Sequence, residues 1–221
     1  MERTNVPNAT INRIPLYLRS LQEIKDRNRQ IISSHELAEL VGVQPAQLRK
    51  DLSYLGEFGT RGVGYEVEHL EFQLARRLGL TREWSIAVIG AGRIGSALLY
   101  YKGFKERNLA IRAILDIDEK KIGKKVGSLI IQDMRDLERV VREENIDVGI
   151  ITTPAASAQG VADQLLKAGV KAILNFAPVF INVPEGVVLR HVDLAVELQI
   201  LTFFLRRHSL MEEKMDEEEV Y

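Results

Sequence analysis

The residues best placed to do chemistry in this chain begin with three glycines. Gly90-Ala91-Gly92-Arg93-Ile94-Gly95 has the spacing G-x-G-x-x-G. In that pattern the first glycine permits a tight turn. The second lets backbone approach a pyrophosphate with no Cβ in the way, and the third allows a helix to pack closely on a strand. The exposed N–H groups of such a turn hold phosphates. Alone the pattern is weak. Here it follows the apolar run Ile86-Ala87-Val88-Ile89 and opens a helical segment over 94–105, the context it requires. The next apolar strand, 110–116, ends at Asp116. An acid there can accept hydrogen bonds from both ribose hydroxyls and repels a 2′-phosphate, favouring NAD(H) over NADP(H). It lies somewhat further on than the usual ~20 residues, which a longer first crossover explains. The plainer alternative is a glycine-rich turn beside a solvated acid. Thr152-Thr153-Pro154 and Asn175-Phe176-Ala177-Pro178 each follow a further strand, at 148–152 and 172–175. In open α/β sheets ligands lie beyond the carboxyl ends of strands, so both turns should face the same crevice. Each could equally be a proline-terminated loop.

A second set of residues could read DNA. Ser33 and Glu36 have capping-box spacing before a short helix at 35–40, Gly42 suits its left-handed end, and Pro45 suits the first turn of another helix, 45–55. Two short helices joined this way form a helix-turn-helix. The second helix carries Gln44, Gln47, Arg49, Lys50, Ser53 and Tyr54. Arg49 and Lys50 can reach phosphates or guanine edges, and Gln47 and Ser53 are ordinary base or phosphate donors. The run Gly59-Thr60-Arg61-Gly62-Val63-Gly64-Tyr65-Glu66-Val67 reads as a hairpin, the wing of a winged helix, with Arg61 and Gly62 at its tip. From Arg13 to Arg61 the bases are Arg13, Arg19, Lys25, Arg27, Arg29, Arg49, Lys50 and Arg61, against Glu23, Asp26, Glu36, Glu39, Asp51 and Glu57. Eight against six is a mild surplus, so charge does not separate a DNA reader from a small helical oligomerisation module.

The elements that must position these residues fall into three textures. Apart from the glycine-rich interruption, residues 1–80 are helical in pattern, with Ile14, Tyr17, Leu18, Leu21 and Ile24 at helical spacing and a linking helix at 69–78. Residues 85–178 alternate apolar strands with helices at 94–105, 137–144 and 155–168, which implies a parallel sheet covered on both faces. The expected fold is α/β: a winged helix-turn-helix domain at 1–80, a Rossmann-like dinucleotide domain at 81–190, a dimerisation helix at 191–209 exchanged between protomers, and a solvated, disordered acidic tail at 210–221. The helix is expected to dimerise because Leu194, Val196, Leu198, Ile200, Leu201, Phe203, Phe204 and Leu205 cover most of its circumference and must be buried. A two-fold homodimer would match a palindromic operator.

Composition narrows the classes. A hydrophobic fraction of 46% in 221 residues supports a real core. The absence of cysteine excludes disulfides, thiolate zinc sites, iron–sulfur clusters and a cysteine nucleophile. The first ten residues have no apolar core of the kind a signal peptide carries, and 194–205 is too short and too polar to span a bilayer, so a cytoplasmic location is expected and no membrane partner. No metal site and no catalytic residue are evident. One helix is all that follows the dinucleotide domain, which leaves no substrate domain. The histidines are His35, His69, His191 and His208, none with an evident orienting carboxylate. Tyr101 and Lys102 are adjacent rather than i, i+4, so they point in different directions. Binding without turnover is expected. The alternatives are a small NAD-dependent oxidoreductase with a helical appendage, and a binder of coenzyme A or another nucleotide.

With both modules in view, residues 5–208 resemble the Rex family of bacterial redox-sensing transcriptional repressors. The resemblance rests on Arg49-Lys50-Asp51-Leu52-Ser53-Tyr54, Gly59-Thr60-Arg61-Gly62-Val63-Gly64-Tyr65, the glycine loop with Ser96-Ala97-Leu98, and Asn175-Phe176-Ala177-Pro178. It implies a homodimer that holds operator DNA when NADH is scarce and lets go when NADH binds, so responding to the NADH/NAD+ ratio. It further implies DNA contacts from Arg49, Lys50 and Arg61, cofactor contacts from Gly90, Gly92, Gly95 and Asp116, and Ala177 and Pro178 beside the nicotinamide. Tyr101, Asp193 and Arg19 match the family's hydrogen-bonded switch. Leu194 stands where some members carry an aromatic residue.

Overall fold

The computed structural model describes residues 6–60 and 62–218, with side chains described through residue 207. Helix α1 (Asn8–Lys25) buries Ile14, Tyr17, Leu18, Leu21 and Ile24 along one stripe. A two-residue strand, β1 (Ile31–Ile32), leads into α2 (Ser34–Val41). The capping box forms: Ser33 Oγ accepts from Glu36 N (3.1 Å) and the Glu36 carboxylate accepts from Ser33 N (3.0 Å). Gly42 ends α2 at φ 71°, and Pro45 opens α3 (Pro45–Ser53). Strands β2 (Gly59–Thr60) and β3 (Gly64–Glu66) make the wing, and α4 (Val67–Arg77) follows. β1 pairs antiparallel with β3, giving a sheet ordered β1-β3-β2. A strand of two residues is too short for alternation to announce it, and it was not expected. Leu37, Leu48, Leu52, Leu70 and Leu74 join the α1 stripe in one core. The chain divides into two compact units, Met1–Glu83 and Trp84–Tyr221.

The second unit runs β4 (Trp84–Ile89), α5 (Arg93–Leu98), β5 (Leu109–Asp116), β6 (Lys125–Val126), β7 (Leu129–Asp133), α6 (Leu137–Glu143), β8 (Val148–Ile151), α7 (Ala155–Lys167), β9 (Ala172–Asn175), β10 (Val188–His191) and α8 (Leu194–Glu218). Its sheet is ordered β10-β9-β8-β4-β5-β7-β6, and every pairing is parallel except that of β6 with β7. Counted along the chain, the parallel strands lie 3-2-1-4-5-6, the doubly wound order whose switch point falls between β4 and β8. Alternate residues of β4 enter opposite layers. Ile86 and Val88 pack with Ile114 and Ile150; Ala87 and Ile89 pack with Leu115 and Leu165. A strand buried on both faces reads as the continuous apolar run seen in the sequence.

Three features depart from the sequence expectation. Helix α5 ends at Leu98 rather than at 105, because the chain breaks into turns in which Tyr101 folds over Gly103. A Cβ on Gly103 would stand 2.7 Å from that ring, which also meets Phe104 edge-on at 4.9 Å. Strands β6, β7 and β10 were not foreseen; β6 is two residues long, and β10 is a largely exposed strand with no apolar alternation. α8 continues to Glu218 through most of the segment expected as a disordered tail, where Glu, Met and Lys are strong helix formers. The apolar residues of α8 from Leu194 to Leu205 are exposed in the single chain, the face for which a partner's cover is expected. Among the described residues no helix is long and apolar enough to cross a membrane.

Candidate DNA-reading and dinucleotide sites

Helix α3 is fixed from beneath by a buried carboxylate. Leu48, Asp51, Leu52 and Leu55 recur at core spacing, so an acid occupies a position the pattern reserves for an apolar residue. Asp51 is fully buried. It accepts from Thr10 Oγ1 (2.8 Å), Arg13 Nε (2.6 Å) and Nη2 (2.8 Å), Tyr17 Oη (2.7 Å) and Gln47 Nε2 (2.9 Å). Burial alone would raise its pKa, but the bonds from Arg13, Tyr17, Thr10 and Gln47 outweigh burial and hold the carboxyl well below the usual range. Burial together with this carboxylate pushes the Tyr17 hydroxyl up. From the sequence, Asp51 has a place in the charge count and in the family motif, but no structural role. Its signal was an acid in phase with Leu48 and Leu52.

The network adds a role for Gln47. One N–H of its amide goes to Asp51, so Gln47 also braces α3, and its second N–H remains a donor. Arg49, Lys50 and Ser53 are exposed on the outer face, while Tyr54 is half-buried at the helix end. Ser53 Oγ donates to the Lys50 carbonyl (2.7 Å), and Arg49 Nη1 donates to Ser34 Oγ (3.1 Å). A groove of about 780 Å³ runs between α3 and the wing, lined by Ser34, Arg49, Ser53, Thr60 and Gly62 among others. Ser34 was missed, because its place follows from tertiary packing of α2 against α3. Gly62, at φ +82°, sits at the wing turn; Arg61 lies outside the described residues.

In the second unit the glycine loop leaves the carboxyl end of β4 at the switch point. Gly90 takes φ +105°, where a side chain would be strained, and a Cβ on Gly95 would stand 2.0 Å from the Gly90 carbonyl oxygen. Thr152 Oγ1, just past β8, donates to that same oxygen (2.7 Å) and holds the loop across the crevice. Gly92 differs: its backbone suits any residue (φ −82°, ψ −168°), and nothing lies within 4 Å of where a Cβ would be. A glycine that the fold does not require, facing open space, fits a group that comes close to the backbone. Ala91 is buried, whereas Arg93 and Ile94 are exposed on the first turn of α5. Thr153 Oγ1 is buried with no hydrogen-bond partner among the described residues, beside exposed Pro154.

Asp116 closes the crevice at the end of β5. Its Oδ2 accepts from Ala91 N (2.7 Å) and Lys121 Nζ (2.9 Å), and its Oδ1 from Asp118 N (2.9 Å). Burial would raise its pKa; the Asp118 amide, the Lys121 ammonium and the Ala91 amide together lower it. At the end of β9, Asn175 is fully buried. Its Oδ1 accepts from Ala177 N (2.9 Å), and its Nδ2 donates to the carbonyls of Ala177 (3.0 Å) and Val179 (2.9 Å) and faces His191 Nδ1 at 3.1 Å. Asn175 is thus the internal brace of the turn. Phe176 packs against the β4–β5 layer. Ala177 and Pro178 line a pocket of about 340 Å³ with Phe180, His191, Asp193 and Val196.

The residues of the expected switch have other partners. Arg19, in the N-terminal unit, is exposed and lies 3.9 Å from Glu23. In the C-terminal unit, Tyr101 packs on Phe104, and Asp193 Oδ1 accepts from the amides of Ala195 (2.9 Å) and Val196 (3.3 Å) at the start of α8. Among the described residues, no cluster of His, Asp or Glu could hold a metal ion.

Comparison with known proteins meets both units. Residues 81–179 match a family model described as a CoA binding domain, and residues 5–53 match one described as "Putative DNA-binding protein N-terminus". The redox-sensing transcriptional repressor Rex of Streptomyces coelicolor is 48% identical over 204 residues, covering 92% of this chain and 79% of its own. Its counterpart from Carboxydothermus hydrogenoformans is 50% identical over 207 residues, covering 94% and 100%. Crystal structures of RSP, a Rex-family repressor, are also similar. The complex of RSP with β-NAD+ and operator DNA has a TM-score of 0.87 at 36% identity, covering 94% of this chain and 96% of that one. The complex with β-NADH has a TM-score of 0.86 at 35% identity, covering 95% and 98%.

Proposed function

This chain belongs to the Rex family of redox-sensing transcriptional repressors, and on that premise we propose that it holds a palindromic operator as a homodimer and releases it on taking up NADH. The observation that carries this is the pairing, in one chain, of a braced helix presenting Arg49, Lys50 and Ser53 with a doubly wound sheet whose glycine loop opens at its switch point. It is a sensor and not an enzyme, acting in the cytoplasm where the operator lies.

Each part of the chain has a physical task. Arg49, Lys50 and the wing at Gly62, with Arg61, neutralise phosphates and reach base edges. Gly90, Ala91, Gly92, Arg93, Ile94 and Gly95 present backbone to the pyrophosphate, and Asp116 accepts from a ribose. Thr153 and Pro154 border the crevice. Asn175 and Phe176 hold Ala177 and Pro178 against the nicotinamide. The oxidised ring carries a positive charge, and the apolar wall of Ala177 and Pro178 makes that charge costly to desolvate, which favours the reduced form. A ligand shifts a two-state equilibrium only by its differential affinity for the two states. The form that prefers NADH spoils the spacing of the two winged helices on successive major grooves. Arg19, Tyr101 and Asp193 exchange their present partners as the forms interconvert, and α8 supplies the dimer contact.

The test is a gel shift on a pooled palindromic library, with and without NADH. Enrichment of one palindrome that NADH abolishes supports this function. No enrichment, together with steady hydride transfer to a carbonyl substrate, would replace it with an oxidoreductase.

A further inference from the structure

We propose that Lys121 sets how strictly the ribose site refuses a 2′-phosphate, acting as a counter-ion that Asp116 shares between itself and the ligand. This rests on the Rossmann unit being a dinucleotide site. A carboxylate offers about four acceptor positions. Three on Asp116 are taken, by Ala91 N, Asp118 N and Lys121 Nζ. A ribose presents two hydroxyls, which would crowd five donors onto the carboxylate, one above that number, and the least constrained donor is the one that yields. Two of the three are backbone amides, one of them in the braced glycine loop. The third is a flexible side chain, 38% exposed against 9% for Asp116. Lys121 is therefore the donor that gives way.

Once displaced, its ammonium stays at the ribose edge, because Asp118 Oδ2 already lies 3.9 Å from it. An unaccompanied Asp116 would repel a 2′-phosphate with its full charge. With Lys121 beside it, the phosphate meets an ion pair, and the discrimination is weaker than the carboxylate alone implies. The same cation attracts the pyrophosphate of both coenzymes, so that contribution cancels in the ratio of their affinities.

Calorimetry on the full chain with NADH and NADPH reads that ratio. Lys121→Met should raise the preference for NADH by about tenfold, while Lys121→Arg, which keeps the charge, should leave it near the parent's. Asp116→Asn should lower it by about tenfold, and adding Lys121→Met to Asp116→Asn should bring the ratio back near the parent's, the sum of the two single effects. A salt bridge that only holds the loop together would move both coenzymes equally. The proposal is overturned if Lys121→Met changes the ratio by less than about twofold while NADH still binds. If the parent protein binds neither coenzyme, the dinucleotide reading itself is wrong.

Discussion

Replacing Asp51 by asparagine keeps the shape of the side chain and removes its charge. The carboxylate accepts five hydrogen bonds while fully buried, two of them from Arg13. An amide oxygen can accept two, and its NH2 would face donors. Breaking a buried ion pair from one side costs about 3–5 kcal/mol. The Arg13 side chain is 24% exposed, so water recovers part of this, and about 3 kcal/mol is the expected loss. A unit of this size is stable by about 4–12 kcal/mol, so its Tm should fall by roughly 10–20 °C. The assay is thermal unfolding by circular dichroism beside operator binding at fixed salt and NADH calorimetry. The N-terminal transition and operator affinity should fall together, with NADH affinity unchanged. The pH dependence has a definite sign. The folded pKa lies below the unfolded one, so the stability Asp51 confers is complete above about pH 5 and drains as pH falls through the folded pKa. The parent should lose stability in acid through this group, and the variant should not. A variant within about 0.5 kcal/mol of the parent would refute the claim that this network fixes the helix.

Four further substitutions separate the parts. Arg49→Ala should cost about 1–3 kcal/mol in operator affinity, or lower the salt slope by about 1 if the contact is to phosphate, and leave NADH calorimetry unchanged. Gly92→Ala should leave Tm within about 1 °C, since neither backbone nor neighbours oppose a Cβ, yet weaken NADH at least about tenfold; Gly95→Ala should damage both, because its Cβ would meet the Gly90 carbonyl. Phe203→Asp on α8, where the ring is 65% exposed in the single chain, should give monomers in sedimentation and reduce operator affinity by at least about a hundredfold.

Much of this was legible because single residues carried unambiguous physics. Ser33 with Glu36, Gly42 and Pro45 marked both ends of α2 and the start of α3, since each satisfies or removes a specific orphan backbone group. The apolar run before Gly90 placed β4 and its turn. What stayed hidden depends on tertiary context. β1 and β6 are two residues each, and β10 is an exposed edge, so none carries a periodic signal. Gln47 was expected to contact DNA from its residue type and its place on the second helix, and Asn175 to face the ligand from its place past a strand end. Their inward hydrogen bonds are set by Asp51 and by the turn at Ala177, partners that composition cannot announce. Lys121 was missed for the same reason: its pairing with Asp116 depends on the turn at Asp118, which brings a side chain five residues on back to the strand end.

The most direct test of the central claim is dissociation of a preformed operator complex at fixed salt, with NADH and NAD+ titrated separately. NADH should strip the protein from its palindrome at concentrations at least about fivefold below those at which NAD+ has any effect. Equal potency of the two coenzymes, or a complex that survives saturating NADH, would contradict it.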